Sequence, residues 1–143
     1  VELNTQTKPV DDFAHIFKPQ EIRKITSLIN KLEKNTSAEI AVVTEDSLEG
    51  RDIAEYANEL FNEWGIGKED KHNGILLLID KEETKFRIEV GLGLNDVLTP
   101  DFINGLFEQY LIPNFKLKKF GPGVYKTLDK IAKKITALYK KRI

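Results

Sequence analysis

The sequence predicts an α/β fold, a three-layer α/β/α sandwich on a small mixed sheet with a central hairpin. Three observations predict it. Apolar spacing alternates between the three-and-four rhythm of amphipathic helices and the continuous or alternating runs of strands, in the order helix, strand, helix, strand, strand, helix, helix. The run Gly74–Asp80 (GILLLID) is apolar without interruption, the mark of a strand covered on both faces. Its neighbour Lys85–Val90 (KFRIEV) alternates, and only the short link Lys81–Thr84 separates the two, so they form an antiparallel hairpin.

Each element follows from local chemistry. Residues 1–9 are polar and irregular and read as a flexible lead-in, leaving 10–143 as a single domain. Val10–Phe17 (VDDFAHIF) reads as a short extended entry. Pro19 suits a first helical turn, where its missing N–H has no partner to lose, and Ile22, Ile25, Leu28, Ile29 and Leu32 share one face of a helix ending near Asn35. Thr36 and Ser37 turn the chain into the β-branched strand Ala38–Thr44. After the acidic turn Glu45–Gly50, Asp52 caps a second helix with Ile53, Ala57, Leu60, Phe61 and Trp64 on one side; Gly65 and Gly67 stop it. Beyond the hairpin comes the loop Gly91–Asn95 (GLGLN). Thr99 and Pro100 then open a third helix carrying Phe102, Ile103, Leu106, Phe107 and Tyr110, with Pro113 limiting its extent. The last helix begins around Gly121–Val124 and turns Leu128, Ile131, Ala132, Ile135, Leu138 and Tyr139 inward.

With 143 residues the chain has room for one domain with a real core. The absence of cysteine excludes a disulfide scaffold, a thiolate zinc site and a cysteine nucleophile. The net charge of -1 conceals a separation along the chain. Residues 1–115 hold 12 basic and 22 acidic side chains, a balance of -10, whereas 116–143 hold 10 basic residues against Asp129 alone, a balance of +9. An acidic body with a basic terminal helix is expected, and that body argues against nucleic acid as a partner. Lys133, Lys134, Lys140, Lys141 and Arg142 are expected to form an exposed stripe without a folding role, able to meet membrane proteins or an anionic membrane surface. No apolar run approaches a membrane span, and a signal-peptide pattern is missing at Val1, whose place at the start suggests a removed leader or an expression tag.

Most catalytic chemistries lack their parts. There is no G-x-S-x-G elbow, the serines are Ser27, Ser37 and Ser47, and the histidines are His15 and His72. Gly65-Ile66-Gly67-Lys68 lacks the spacing of a phosphate loop and follows a helix instead of a strand. Gly91-Leu92-Gly93 is a fragment of a dinucleotide fingerprint, and no EF-hand loop occurs.

What remains is a set of acidic, glycine-containing loops. The strings VDDFAHIF, SLEGRDIAEYANELFNEWGIG, HNGILLLID and FRIEVGLGLNDVLTPD, in that order, resemble the TPM domain family, over about Val10–Ile135. That family is named for a thylakoid lumen acid phosphatase-like protein, a photosystem repair protein and an acetylcholine-receptor modulator. The resemblance implies an α/β/α sandwich, often exported or facing a lumen or periplasm, that binds calcium or another divalent cation in loops at one end of the sheet. It also implies phosphatase activity in some members and none in others. The family's usual Asp-Asn-Gly is His72-Asn73-Gly74 here, with Asp70 two residues earlier.

Calcium takes ~6 to 8 oxygen ligands, which such loops can supply. The resemblance therefore makes Asp12, Asp70, Asn73 and Asp96 the candidate ligands, with Asp11 and Asn95 behind them. Each has a plain alternative. Asp11 and Asp12 suit a solvated turn, Asn73 a turn residue at positive φ before Gly74, and Asp96 an acceptor for backbone N–H groups of its own loop. Tyr56 and Trp64 read as packing residues, His15 as a partly buried structural residue and Glu45, Asp46 and Glu49 as a solvated loop. The loops around Asp12, Asp70–Asn73 and Gly91–Asp96 are expected to converge at one end of the sheet. The expected function is a monomeric, calcium-binding, non-enzymatic or weakly active module near membrane protein assemblies. It would be exported, periplasmic or membrane-associated, with the cytoplasm as the alternative location. The alternative function is a metal-dependent acid phosphatase hydrolysing phosphomonoesters.

Overall fold

A computed structural model describes residues 3–141. The strands are β1 (Val10–Asp12), β2 (Glu39–Glu45), β3 (Gly74–Asp80) and β4 (Lys85–Val90). The helices are α1 (Pro19–Thr36), α2 (Ile53–Trp64), α3 (Pro100–Leu106), α4 (Ile112–Lys116) and α5 (Phe120–Lys141). The sheet order is β1-β2-β3-β4, parallel across the first three strands and antiparallel between β3 and β4, as the short connecting turn requires.

Strand parity divides the interior into two cores. Ile40, Val42, Ile75, Leu77 and Ile79 face α1 and α5, whose Ile25, Ile29, Leu128, Ile131 and Ile135 are fully or nearly buried. Ala41, Val43, Leu76 and Leu78 face α2 through Tyr56, Ala57 and Leu60. All of β3 is buried, as its unbroken apolar run demands. Asp52 caps α2 by accepting from the Glu55 N–H at 3.0 Å, and Gly65 closes it at φ 59°, a left-handed position that suits a residue without a Cβ.

The structure departs from the sequence reading in four places. The entry segment contributes a true edge strand, β1. Residues 3–9 are tied down: Leu3 packs on the α2 core, Asn4 Nδ2 donates to the Glu45 carboxylate, and Trp64 Nε1 donates to the Asn4 carbonyl at 2.8 Å. Pro113 does not end the third helix. A π turn, Phe107–Leu111, links α3 to α4, so the helical run continues through Pro113, which lies in the first turn of α4 with helical residues before it. Finally, two lysines of α5 have local packing roles: Lys133 pairs with Asp129 at 3.0 Å, and Lys134 lies 5.0 Å over the Phe102 ring. Lys140 and Lys141 are exposed, while Arg142 lies outside the described residues. Among the described residues no helix is long and apolar enough to cross a membrane.

Candidate functional site

Because β4 runs antiparallel to β3, the loop entering β3 and the loop leaving β4 meet at one edge of the sheet. Gly91 N–H donates to the Gly74 carbonyl at 2.8 Å, and Gly93 N–H to the His72 carbonyl at 2.9 Å. The approach is so close that a Cβ at Gly91 would overlap the His72 carbonyl oxygen and one at Gly93 that of Lys71. Glycine is required there for space. Loop 68–73 is shaped by a turn in which Lys71 and His72 N–H both donate to the Lys68 carbonyl, and by His72 at φ 47°. Positive φ thus falls on His72, not on Asn73. Histidine, asparagine and aspartate tolerate that region better than most side chains, so it suits both His72 and the aspartate usual at this position.

Asn73 is the staple of this edge. Its side chain is fully buried; Oδ1 accepts from the Lys68 N–H at 2.9 Å, and Nδ2 donates to Ser37 Oγ at 3.1 Å and Tyr139 Oη at 2.8 Å. One amide therefore joins the loop to the end of α1 and to α5, with both donor hydrogens in use. Lys68 fastens the outer side through Glu33 at 2.8 Å and through Glu39, and these two carboxylates hold its ammonium pKa above the ordinary value.

On this framework Asp70 is exposed on one loop, and Asn95 and Asp96 are exposed on the other. Their oxygens are of the hard type that calcium prefers, and they stand on two loops locked to each other. Among the described residues no three histidine, cysteine, aspartate or glutamate side chains are grouped so that they could hold a metal ion. A cation seated here would rely on these three side chains together with carbonyl oxygens and water.

Asp11 and Asp12 lie elsewhere. Asp12 is in register with Thr44, and Thr44 with Ile79, whereas Gly74 aligns with Glu39. Five residues at ~3.3 Å each put Asp12 about 17 Å along the strands from the Gly74 edge. The expected three-loop convergence is thus corrected to two loops, because β1 runs parallel to β3 and ends at the opposite edge. Asp12 is also engaged: Oδ1 accepts from Ile16 N–H at 3.1 Å and Thr44 Oγ1 at 2.6 Å, and Oδ2 from Phe17 N–H at 3.0 Å. Asp11 is buried and accepts from the Thr7 hydroxyl and N–H.

At that opposite edge the structure corrects the reading of Glu45 as a solvated loop residue. Glu45 is the last residue of β2, buried on the α2 side, accepting from Tyr56 Oη at 2.7 Å and from Asn4 Nδ2. Its neighbour in register is Asp80, also buried, whose carboxyl pKa is pushed up by loss of hydration. Strand parity was the available signal, since Glu45 shares a face with Ala41 and Val43 and cannot be a solvated loop residue. His15 is exposed at φ 54°, not partly buried.

The comparisons agree with this architecture. A family model described as the TPM domain matches residues 10–134. The chain is similar to the N-terminal domain of a P. gingivalis protein solved by NMR, with TM-score 0.85 and 22% identity, covering 94% of this chain and 85% of that one. The BA42 protein of the psychrophilic bacterium Bizionia argentinensis gives TM-score 0.75 at 26% identity, with 86% and 83% covered. The N-terminal domain of a Corynebacterium glutamicum protein gives TM-score 0.68 at 14% identity, with 96% and 84% covered. No curated protein matches the sequence.

Proposed function

The chain belongs to the TPM domain family, and from that premise we propose that it is a calcium-binding, non-enzymatic or weakly active module whose cation is taken by the loop pair at the Gly74 edge. The observation that carries this reading is the interlock of the two loops through the His72 carbonyl and Gly93 N–H. It fixes the backbones that bear Asp70, Asn95 and Asp96 before any cation arrives. With two carboxylates and much of the shell left to water, the affinity belongs in the ~0.1–1 mM range of weak calcium modules. Binding is favoured over hydrolysis because calcium, unlike zinc, lowers the pKa of bound water too little to supply a nucleophile near neutral pH. The module is taken to work in an exported or periplasmic setting near membrane protein assemblies, with the lysines at the end of α5 toward acidic surfaces.

Thermal melts with calcium and with chelator test the proposal. At ~10 to 100 times the dissociation constant, calcium adds ~1.4–2.7 kcal/mol, a rise of several degrees that chelator reverses. Asp96→Asn and Asp70→Asn should each blunt the rise. Turnover of an aryl phosphate should stay at the blank rate. Metal-dependent turnover that Asp96→Asn abolishes would move the conclusion to the phosphatase alternative.

A further inference from the structure

The outer side of β4 is an unused strand edge. The Gly91 to Gly74 hydrogen bond sets the phase of the β3–β4 ladder, so Lys85, Arg87 and Glu89 bond inward to β3. The N–H and C=O groups of Phe86, Ile88 and Val90 therefore point outward. Among the described residues these groups have no hydrogen-bond partner. At the other end of the sheet β1 has only 3 residues, so β4, with 6, is the longer free template.

Two grooves flank this edge. One, of about 820 Å³, is lined by every residue from Phe86 to Val90, and consecutive residues of both faces can line a cavity only along an edge. Its far wall carries Leu98, Ile103 and Phe107. A strand residue fills roughly 160 Å³, from a 3.3 Å rise, a 4.8 Å strand spacing and a 10 Å sheet thickness, so the groove holds about five residues. The other groove, of about 520 Å³, lies on the α2 side and shares Glu89 and Val90 with the first. Its surroundings are acidic: α2 carries Glu55, Glu59 and Glu63 and no basic residue, with Glu59 paired to Arg51 at 2.7 Å, and Glu69 lines the groove itself. The nearby cations are already paired, Lys68 with Glu33 and Glu39, and Arg87 with Glu89 at 2.9 Å.

We propose that this edge takes an extended segment of a partner polypeptide as a fifth strand, with apolar side chains entering the α3 groove and basic side chains, at alternate positions, facing α2. Main-chain hydrogen bonds to Phe86, Ile88 and Val90 supply the affinity. The period of two in a strand delivers alternate residues to the α3 side, where Leu98, Ile103 and Phe107 line the wall, and to the acidic α2 side, and that alternation supplies the selectivity.

The test is an NMR titration of isotope-labelled protein with a capped peptide of alternating lysine and valine. The amides of Phe86, Ile88 and Val90 should shift and exchange more slowly. Two further peptides carry N-methyl groups, one on odd and one on even residues; one should bind about tenfold more weakly and the other should match the parent, because only alternate N–H groups face β4. Glu89→Lys should weaken the parent peptide. Absence of shifts at the three amides at millimolar peptide overturns the proposal, as does equal weakening by both methylated peptides. Concentration-dependent shifts at the same amides without peptide also overturn it, by giving the edge to a second copy of the chain.

Discussion

Replacing Asn73 by alanine removes one acceptor and two donors at a fully buried position. Each bond contributes about 0.5–1.5 kcal/mol net, so three bonds, with Lys68 N–H left unpaired in a partly buried loop, amount to a loss of ~3 kcal/mol. For a domain of this size 1 kcal/mol corresponds to roughly 3–4 °C, and the melting temperature should fall by about 10 °C. The measurement is a melt in chelator, followed by one in excess calcium. Tyr139→Phe removes a single member of the same network and should cost ~1 kcal/mol, and the double variant should lose less than the sum because the two share a bond. If Asn73→Ala melts within about 2 °C of the parent in chelator and loses only the calcium response, Asn73 is a ligand and not a staple.

Three further perturbations probe the two edges of the sheet. Gly93→Ala sets a methyl group against the Lys71 carbonyl oxygen and should cost ~1–3 kcal/mol while weakening the calcium response, both read from melts. Tyr56→Phe removes the hydroxyl that donates to buried Glu45 and should cost ~1.5–3 kcal/mol by denaturant unfolding at neutral pH. Asp80 has a folded-state pKa raised from its ordinary 3.8 by burial, so the folded state binds more protons than the unfolded one between the two values. Its contribution is thus present below the unfolded pKa and is lost as pH rises through the folded one. Asp80→Asn should raise the melting temperature at neutral pH and leave it nearly unchanged below about pH 4, as a series of melts across pH can establish.

The elements legible in the sequence were those whose signal is local. The unbroken run Gly74–Asp80 could be little but a strand buried on both faces, and Asp52 with Gly65 bracketed α2 by side-chain chemistry alone. β1 was legible as an extended entry at Val10 but not as a strand of the sheet, because Val10-Asp11-Asp12 equally suits a turn. Its aspartates are accommodated by Thr7 and Thr44, and Thr44 lies 32 residues from Asp12. The π turn before Pro113 depends on hydrogen-bond phase, which residue types do not encode simply. At the candidate site, the glycines and acidic residues of the two loops were readable. Asn73 was readable as a loop end, but its partners Ser37 and Tyr139 lie 36 and 66 residues away. Asp12 was grouped with the site on family resemblance, and only strand register separates it.

Calcium titration followed by backbone amide NMR tests the central proposal most directly, because it locates the cation. Saturable shifts are expected in 68–72 and 91–96, with dissociation in the ~0.1–1 mM range, and quiet amides from Asp11 to Phe17. Shifts centred on Asp11 to Phe17, or none anywhere at millimolar calcium, would contradict that proposal.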